Sequence, residues 1–203
     1  LPWSELAAVP ETYYTAFGSF KNLQIKEGDS ILVRAATSGV GLAFLKLVKA
    51  QFPQNRVVGS VRSLAKKDLL QQQGFDEIIL DERGVLQTEE KFDKILELVG
   101  PATLKNSFDH IQSAGIICNT GQLGGKWYVE EFDPIVEIRN NSYLTNFYSG
   151  NVHQQLIDEL FSYIDAYKIN VSPQRIFSLE QIPAAHSYIE SQAGFGKVVV
   201  LNN

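Results

Sequence analysis

The chain has 203 residues, of which 44% are hydrophobic and 20% charged, a composition typical of one folded α/β domain spanning residues 1–203. Its formal net charge of −5 argues against nucleic acids and membrane surfaces as partners, because both attract basic proteins. Apolar runs are strand-length, well short of the ~20 residues that cross a bilayer. The lone cysteine, Cys118, excludes an internal disulfide and a cysteine-rich zinc site and fits a cytoplasmic location.

Predicted helices and strands alternate along the chain. Hydrophobic periodicity and turn residues predict helices at Ser4 and over residues 12–23, 42–49, 63–73, 103–111, 153–167 and 179–192. The predicted strands are 31–33, 56–61, 77–80, 92–99, 115–119, 143–148 and 197–201. This alternation predicts a doubly wound parallel sheet of the Rossmann type, covered by helices on both faces in three αβα layers with right-handed crossovers.

The turn after the first strand is the most informative segment. Residues 36–41 align with the dinucleotide fingerprint G-x-G-x-x-G, but Ala36 and Ser38 replace its first two glycines. An ordinary strand–turn–helix, in which glycines only allow close packing, is therefore the alternative. The preceding strand, the following helix and the second strand favour dinucleotide binding, with the pyrophosphate at the N-terminus of the helix.

The residues that end the second strand favour NADP over NAD. An NAD-binding chain usually places an acid about 20 residues beyond the glycines, whereas Val61 stands there. Hydroxyls and cations that suit a 2′-phosphate surround it, namely Ser60, Arg62, Ser63 and Lys66. Asp81, close to the expected adenosine site, argues against NADP. A solvated helix start is the alternative interpretation of Arg62 and Lys66.

The chain resembles the cofactor-binding domain of a medium-chain dehydrogenase/reductase, on the quinone oxidoreductase branch. Five segments carry the resemblance in family order: LAAVPETYYTAFGSF, AATSGVG, FDKILELVG, GIICNTGQLGG and FSLEQIPAAHSYIESQAGFGKVVVL. The family's N-terminal GroES-like domain, which contributes to the substrate site and holds any zinc ligands, has no counterpart here. Because the sequence also begins at Leu1 without any methionine, we expect it to be part of a longer enzyme.

The resemblance implies a set of cofactor-binding residues. The fingerprint residues expected at the pyrophosphate are Thr37, Ser38, Gly39, Val40 and Gly41. Those expected at the ribose and nicotinamide are Val99, Gly100, Asn119, Thr120 and Gly121, with Phe147, Tyr148 and Ser149 closing over the ring. Phe147 and Tyr148 could instead belong to the core or to an interface. Residues 122–127 are expected to form a mobile loop over the site.

The resemblance also implies a function. We expect NADPH-dependent, zinc-independent hydride transfer to a quinone or an activated enone, with no catalytic side chain assigned because the cofactor carries the chemistry. A homodimer through the edge strand at 143–148 is expected, since unpaired edges seek partners. The alternatives are a non-catalytic NADP-binding module and an S-adenosylmethionine methyltransferase; Val61 disfavours the latter, which generally needs an acid at that position.

Overall fold

The computed structural model describes residues 1–191 and 195–202. The helices are α1 Trp3–Leu6, α2 Pro10–Asn22, α3 Gly39–Gln51, α4 Lys67–Gln72, α5 Leu104–Asp109, α6 Pro134–Glu137, α7 Gln154–Ala166 and α8 Ile182–Glu190. The strands are β1 Ile31–Val33, β2 Val57–Val61, β3 Glu77–Glu82, β4 Val85–Leu86, β5 Phe92–Glu97, β6 Ile111–Asn119, β7 Tyr143–Asn146, β8 Arg175–Ser178 and β9 Val198–Leu201. None of the helices in these two ranges has the length and apolar character needed to cross a bilayer.

Seven of the described strands form one sheet in the order β4-β3-β2-β1-β5-β6-β7. Strands β3, β2, β1, β5, β6 and β7 run parallel, and β4 pairs with β3 in the antiparallel direction. The chain order reverses at β1, which lies between β2 and β5. A crevice opens at such a reversal, outside the carboxyl ends of the strands. The predicted Rossmann-type α/β fold is confirmed.

Helices cover both faces of the sheet and enclose two apolar clusters. On one face, Phe17 of α2, Phe44 of α3 and Leu160 of α7 belong to the larger cluster. On the other face, Phe108 of α5 packs in a smaller cluster with Phe92, and the 129–138 segment lies against it. The sheet is therefore the central layer of three, and β1 is entirely buried between the two clusters.

The elements differ from the predicted ones mainly at their ends. The predicted helix over residues 63–73 divides into a 3-10 turn, Leu64–Lys66, and the short α4. Strand β6 begins before the predicted position 115, with Ala114 at a φ of +61° and an irregular register opposite β5. The predicted helix over 179–192 divides into a 3-10 turn and α8; its last predicted residue, Gln192, lies outside the described residues.

The last strand does not join the main sheet. Strand β9 pairs in parallel with β8, from Arg175 opposite Val198 to Ser178 opposite Leu201. Strand β8 was not predicted, because it has only four residues and no marked apolar alternation. Strands β8 and β9 form a separate, small two-stranded sheet, with α8 between them in the chain. This unit returns the chain towards the turn after β1.

A buried ionic network ties the sheet to α5 behind that turn. Arg34, fully buried directly after β1, pairs through Nη2 with Asp81 of β3. Its Nη1 donates to the carbonyl of Thr103 at 3.2 Å and to Ser107 Oγ at 3.0 Å. Arg34 Nε lies 3.8 Å from Oε2 of Glu97, at the end of β5. One guanidinium thus connects three strands and a helix.

Glu97 extends the network into the turn that follows β5. Its Oε1 accepts hydrogen bonds from the backbone N–H groups of Val99 at 2.8 Å and Gly100 at 3.0 Å, and its Oε2 accepts from Ser107 Oγ at 2.5 Å. A fully buried carboxylate requires such partners, because removal of one partner leaves a charge without solvation.

We predict that Arg34→Met lowers the free energy of unfolding by about 3–5 kcal/mol, since it leaves the buried Asp81 and Glu97 carboxylates without their cation. The matched control is Arg56→Met, which removes an arginine that pairs with Glu77 and Glu90 at the surface and should cost at most about 1 kcal/mol. Urea titration of the three proteins measures both values. Equal losses for the two variants would show that the buried network does not stabilise the fold.

Candidate cofactor site

Three adjoining cavities form a trough along the carboxyl ends of the parallel strands. The first cavity, about 390 Å³, lies between α2, the start of α3 and the ends of β5 and β6. The second, about 260 Å³, lies between the turn after β1 and the ends of β2 and β3. The third, about 490 Å³, lies beyond β2, between the 3-10 turn and the end of α8. Ser38 lines the first and second cavities, and Thr37 and Arg62 line the second and third.

The start of α3 lies at the centre of the trough. Ser38 caps the helix, and its Oγ accepts a hydrogen bond from the N–H of Gly41 at 3.0 Å. Gly39 and Val40, in the first turn, line the first cavity. Helix N-termini carry N–H groups without intrahelical partners and the positive end of the helix dipole. A pyrophosphate at this position would be bound without any charged side chain.

The last glycine of the fingerprint allows close packing. A Cβ at Gly41 would lie only 3.1 Å from the carbonyl oxygen of Ala35 and 3.1 Å from Ser38 Oγ. The helix therefore begins directly against the turn because no side chain separates them. Ala36 takes the place of the first fingerprint glycine and is fully buried, so this position accommodates a methyl group.

The ends of β5 and β6 form the opposite wall. Gly100 has a φ of +87°, and a Cβ there would lie 2.3 Å from the carbonyl oxygen of Gly121. Thr120 and Gly121 line the first cavity, whereas Val99 lines the second. Gly100 itself lines neither of these cavities; its lack of a side chain lets the two strand ends approach each other.

A hydrogen-bond chain fixes Thr120 at the floor of the first cavity. Thr120 Oγ1 lies 2.8 Å from Ser19 Oγ of α2 and 3.3 Å from Sγ of Cys118. Burial raises the pKa of the Cys118 thiol, against the lowering effect of its hydrogen bonds to Thr120 and Ser19. A buried thiol whose pKa is raised is a poor nucleophile, which supports the prediction that Cys118 is a core residue.

The residues predicted at the 2′-phosphate come together at the far end of the trough. Arg62, Ser63 and Lys66 line the third cavity, and Ser60 and Arg62 line the second. Ser60 is 1% exposed, and its Oγ has no hydrogen-bond partner within the described chain. Desolvation lowers the pKa of Lys66 from its usual value. A buried hydroxyl without a partner at the edge of a cavity is available to a ligand.

Two acids also face this end of the trough. Asp81, which argued against NADP in the sequence, lines the second cavity, but its carboxylate pairs with Arg34, which offsets its negative charge. Glu190 of α8 lines the third cavity opposite Arg62. Acidic Glu190 lies more than 100 residues away from Arg62 in sequence, so no local pattern indicated it.

Several other predicted site residues, among them Phe147, Tyr148 and Asn119, do not line these three cavities. Phe147 packs beneath Gly18 of α2 and meets the Tyr14 ring edge-on, with centroids 5.5 Å apart. Tyr148 is 68% exposed, and the Oδ1 of Asn119 is buried without a hydrogen-bond partner in the described chain. Ser149, by contrast, lines the first cavity. The structure thus favours the core alternative for Phe147.

Residues from both ends of the chain complete the first cavity and were not predicted. Glu11, Thr12 and Thr15 of α2 line it, as does Lys197. Beside Lys197, the N–H of Gly196 donates to the carbonyl of Thr37 at 3.3 Å. The C-terminal segment therefore places a cation beside the start of α3. A Gly-Lys pair alone indicates only a turn before a strand, which is why sequence reasoning missed this position.

No zinc site is formed by the part of the chain that the structure describes. Within residues 1–191 and 195–202, no three His, Cys, Asp or Glu side chains are grouped to hold a metal ion. Zinc sites in proteins need three or four such ligands. The described residues therefore do not fit a zinc ion, and the features of the trough suit a phosphorylated ligand.

Residues 73–200 match the family described as zinc-binding dehydrogenase. The chain is 24% identical over 226 residues to a probable polyketide synthase 14 of Dictyostelium discoideum, a match that covers 98% of this chain and 7% of that protein. It is 24% identical over 195 residues to a probable quinone oxidoreductase of Schizosaccharomyces pombe, covering 88% of this chain and 56% of the relative. The chain thus spans about half of one relative and a small part of the other.

A solved structure has the same fold. The mycobacterial protein Rv1454c complexed with NADPH superimposes with a TM-score of 0.79 at 21% identity, over 99% of this chain and 65% of that one. The likeness extends through the Rossmann-type sheet and the C-terminal unit. The chain belongs to the zinc-binding dehydrogenase family, and its fold is that of the cofactor-binding domain of a medium-chain dehydrogenase/reductase.

Proposed function

We propose that this chain is the cofactor-binding half of an NADPH-dependent reductase that transfers hydride to a quinone or an activated enone. The observation that carries the proposal is the continuous trough, with a capped helix N-terminus at its centre and Arg62, Ser63 and Lys66 at one end. The similarity to a quinone oxidoreductase supports the reaction class. NADPH, when bound, supplies the hydride.

Each part of the trough suits one part of the cofactor. The pyrophosphate lies at the start of α3, between Gly39, Val40 and Lys197. The adenosine occupies the second cavity, where Ser60 offers its unpaired hydroxyl. The 2′-phosphate lies in the third cavity, where the Arg62 guanidinium can donate paired N–H groups to it. The nicotinamide lies in the first cavity.

The chain itself contributes to the reaction by orienting the nicotinamide. Thr120, held by Ser19 and Cys118, and Ser149 place hydroxyl groups on the wall of the first cavity. These hydroxyls would hold the carboxamide and the ribose of the nicotinamide and so orient the ring for hydride transfer. No proton donor is assigned, and no zinc is required by this scheme, because the cofactor carries the chemistry.

Two further functions are consistent with particular observations. A non-catalytic NADP-binding module has the same trough, and the chain spans only 56% of the quinone oxidoreductase relative. A segment of a larger polyketide-synthesising enzyme is favoured by the match to polyketide synthase 14, which covers 98% of this chain. Assay of NADPH oxidation by the complete natural protein with benzoquinone and with an enone separates the module from the two enzymes.

We predict that Arg62→Ala weakens NADPH binding by about tenfold or more, because it removes a charge-assisted contact to the 2′-phosphate. The affinity for NADH, which lacks that phosphate, should change less than about twofold. Isothermal titration calorimetry of the chain with each cofactor gives both dissociation constants. Equal losses for the two cofactors would refute the proposed 2′-phosphate site, and tighter NADH binding by the unaltered chain would refute the NADP preference.

Lys197→Ala provides a matched comparison for the pyrophosphate. Both cofactors carry this group, so the loss of a cation there should weaken NADPH and NADH by the same factor, about three- to tenfold. Glu190→Gln removes an acid from the third cavity and should strengthen NADPH binding only. A NADPH-specific effect of Lys197→Ala would show that this lysine contacts the 2′-phosphate instead.

We propose that the chain forms a homodimer through β7. This strand is the last in the sheet, and its Tyr143 and Leu144 are exposed, so its outer edge can pair with a second copy. The strand ends at Asn146, two residues before the predicted end.

We expect a dimer in sedimentation equilibrium at micromolar concentration. Tyr143→Lys should shift it towards the monomer, because a charged residue on an edge strand opposes edge-to-edge pairing. Tyr128→Lys, an equally drastic change at an exposed tyrosine outside the strands, should leave the dimer intact. A monomeric unaltered chain would overturn the proposal.

A further inference from the structure

An apolar groove adjoins the first cavity. It has a volume of about 330 Å³ and lies between the start of α2, the segment after β7 and α7. Its walls are formed by Val9, Tyr14, Val152, Ile157, Leu160 and Phe161. The volume is within the range of small-molecule sites, but nothing in the cofactor trough uses this space.

The groove has an apolar floor without unpaired polar groups. Leu160 is 1% exposed and Tyr14 is 3% exposed. The Tyr14 hydroxyl donates to the carbonyl of Asn151 at 2.9 Å and accepts from the N–H of His153 at 3.0 Å. Because the polar tip of Tyr14 is satisfied within the protein, only its ring is left for a ligand. Hydrocarbon is the chemistry that such a surface binds best.

The groove is continuous with the first cavity. Glu11 and Ser149 line both spaces, so a molecule could extend from one into the other. At this junction the Glu11 carboxylate and the Ser149 hydroxyl meet the cavity in which the nicotinamide is proposed to lie. A ligand that fits both spaces has a polar, reducible head near Ser149 and an apolar tail towards Phe161.

We propose that the groove binds the hydrocarbon tail of the substrate, which is a quinone or enone carrying a linear alkyl chain. This inference rests on the proposed function, because the head of that substrate must lie beside the nicotinamide. It specifies the substrate class: quinones or enones with a linear alkyl chain are preferred over analogues with a short substituent.

The test uses two benzoquinones that differ only in one substituent, a decyl chain or a methyl group. Each is titrated calorimetrically into the chain saturated with NADP⁺, the oxidised cofactor, so that no turnover occurs. The decyl compound should bind at least tenfold more tightly. Complete burial of one methylene improves binding by roughly fourfold, so this gain requires only a part of the chain to be buried.

Two substitutions test whether the alkyl tail of the quinone lies in the groove. Ile157→Trp fills the groove with an apolar side chain, and Val152→Asp places a charge on its exposed rim, where the valine is 62% exposed. Both should abolish the advantage of the decyl compound while leaving NADP⁺ and methyl-quinone binding unchanged. The control is Ile135→Asp, at a 92% exposed position of α6, which should leave the advantage intact.

The outcomes separate this inference from the proposed function. If NADP⁺ and the methyl compound bind but the decyl chain adds nothing, the tail site is refuted and the reductase proposal stands. If the decyl compound still binds more tightly than the methyl compound after each groove substitution, the tail site is also refuted, because the tail then binds elsewhere. Failure of NADP⁺ to bind refutes the proposed function itself, and the tail proposal falls with it.

Discussion

The buried ion network around Arg34 fixes the geometry on which the cofactor trough depends. The guanidinium lies at the end of β1, where the order of the strands reverses, and connects β1 to β3, β5 and α5. Through Glu97 it reaches the N–H groups of the turn after β5. Buried charges tolerate few arrangements, because each must keep its partners. The walls of the second cavity are therefore set by electrostatics as much as by apolar packing.

The three regions of the trough offer a ligand different kinds of interaction. At its centre, the N–H groups at the start of α3 and the helix dipole would attract a phosphate, and the small residues there leave room for a ligand. At one end, Arg62 and Lys66 provide charge, while Glu190 and Asp81 moderate it. At the other end, the Thr120 hydroxyl, which contacts Ser19 and Cys118, lies in the cavity next to an apolar groove, where the nicotinamide is proposed to bind. The proposed functions of phosphate binding, nicotinamide orientation and substrate preference thus fall in three neighbouring regions.

The C-terminal unit contributes to the site although it lies outside the main sheet. Strands β8 and β9 pair only with each other among the described strands, yet Gly196 bonds to Thr37 and Lys197 lines the first cavity. Glu190, at the end of α8, lines the third cavity. Residues from the last third of the chain thus line the same trough as residues from the first third. A cofactor bound there would in turn stabilise this contact, since a ligand of the folded state favours that state.

The Rossmann-type fold, the succession of the principal strands along the chain and the turn at Ala36 to Gly41 could be predicted from the residues, because buried strands and amphipathic helices leave periodic patterns in short windows. The sequence also indicated Arg62, Ser63 and Lys66, which follow a strand end directly. The burial of Arg34, the packing of Phe147 under Gly18 and the positions of Glu11, Glu190 and Lys197 along the trough were visible only in the folded chain. These positions depend on contacts between segments far apart in the chain. No local pattern encodes such contacts, since they arise only when the sheet has brought its strand ends together.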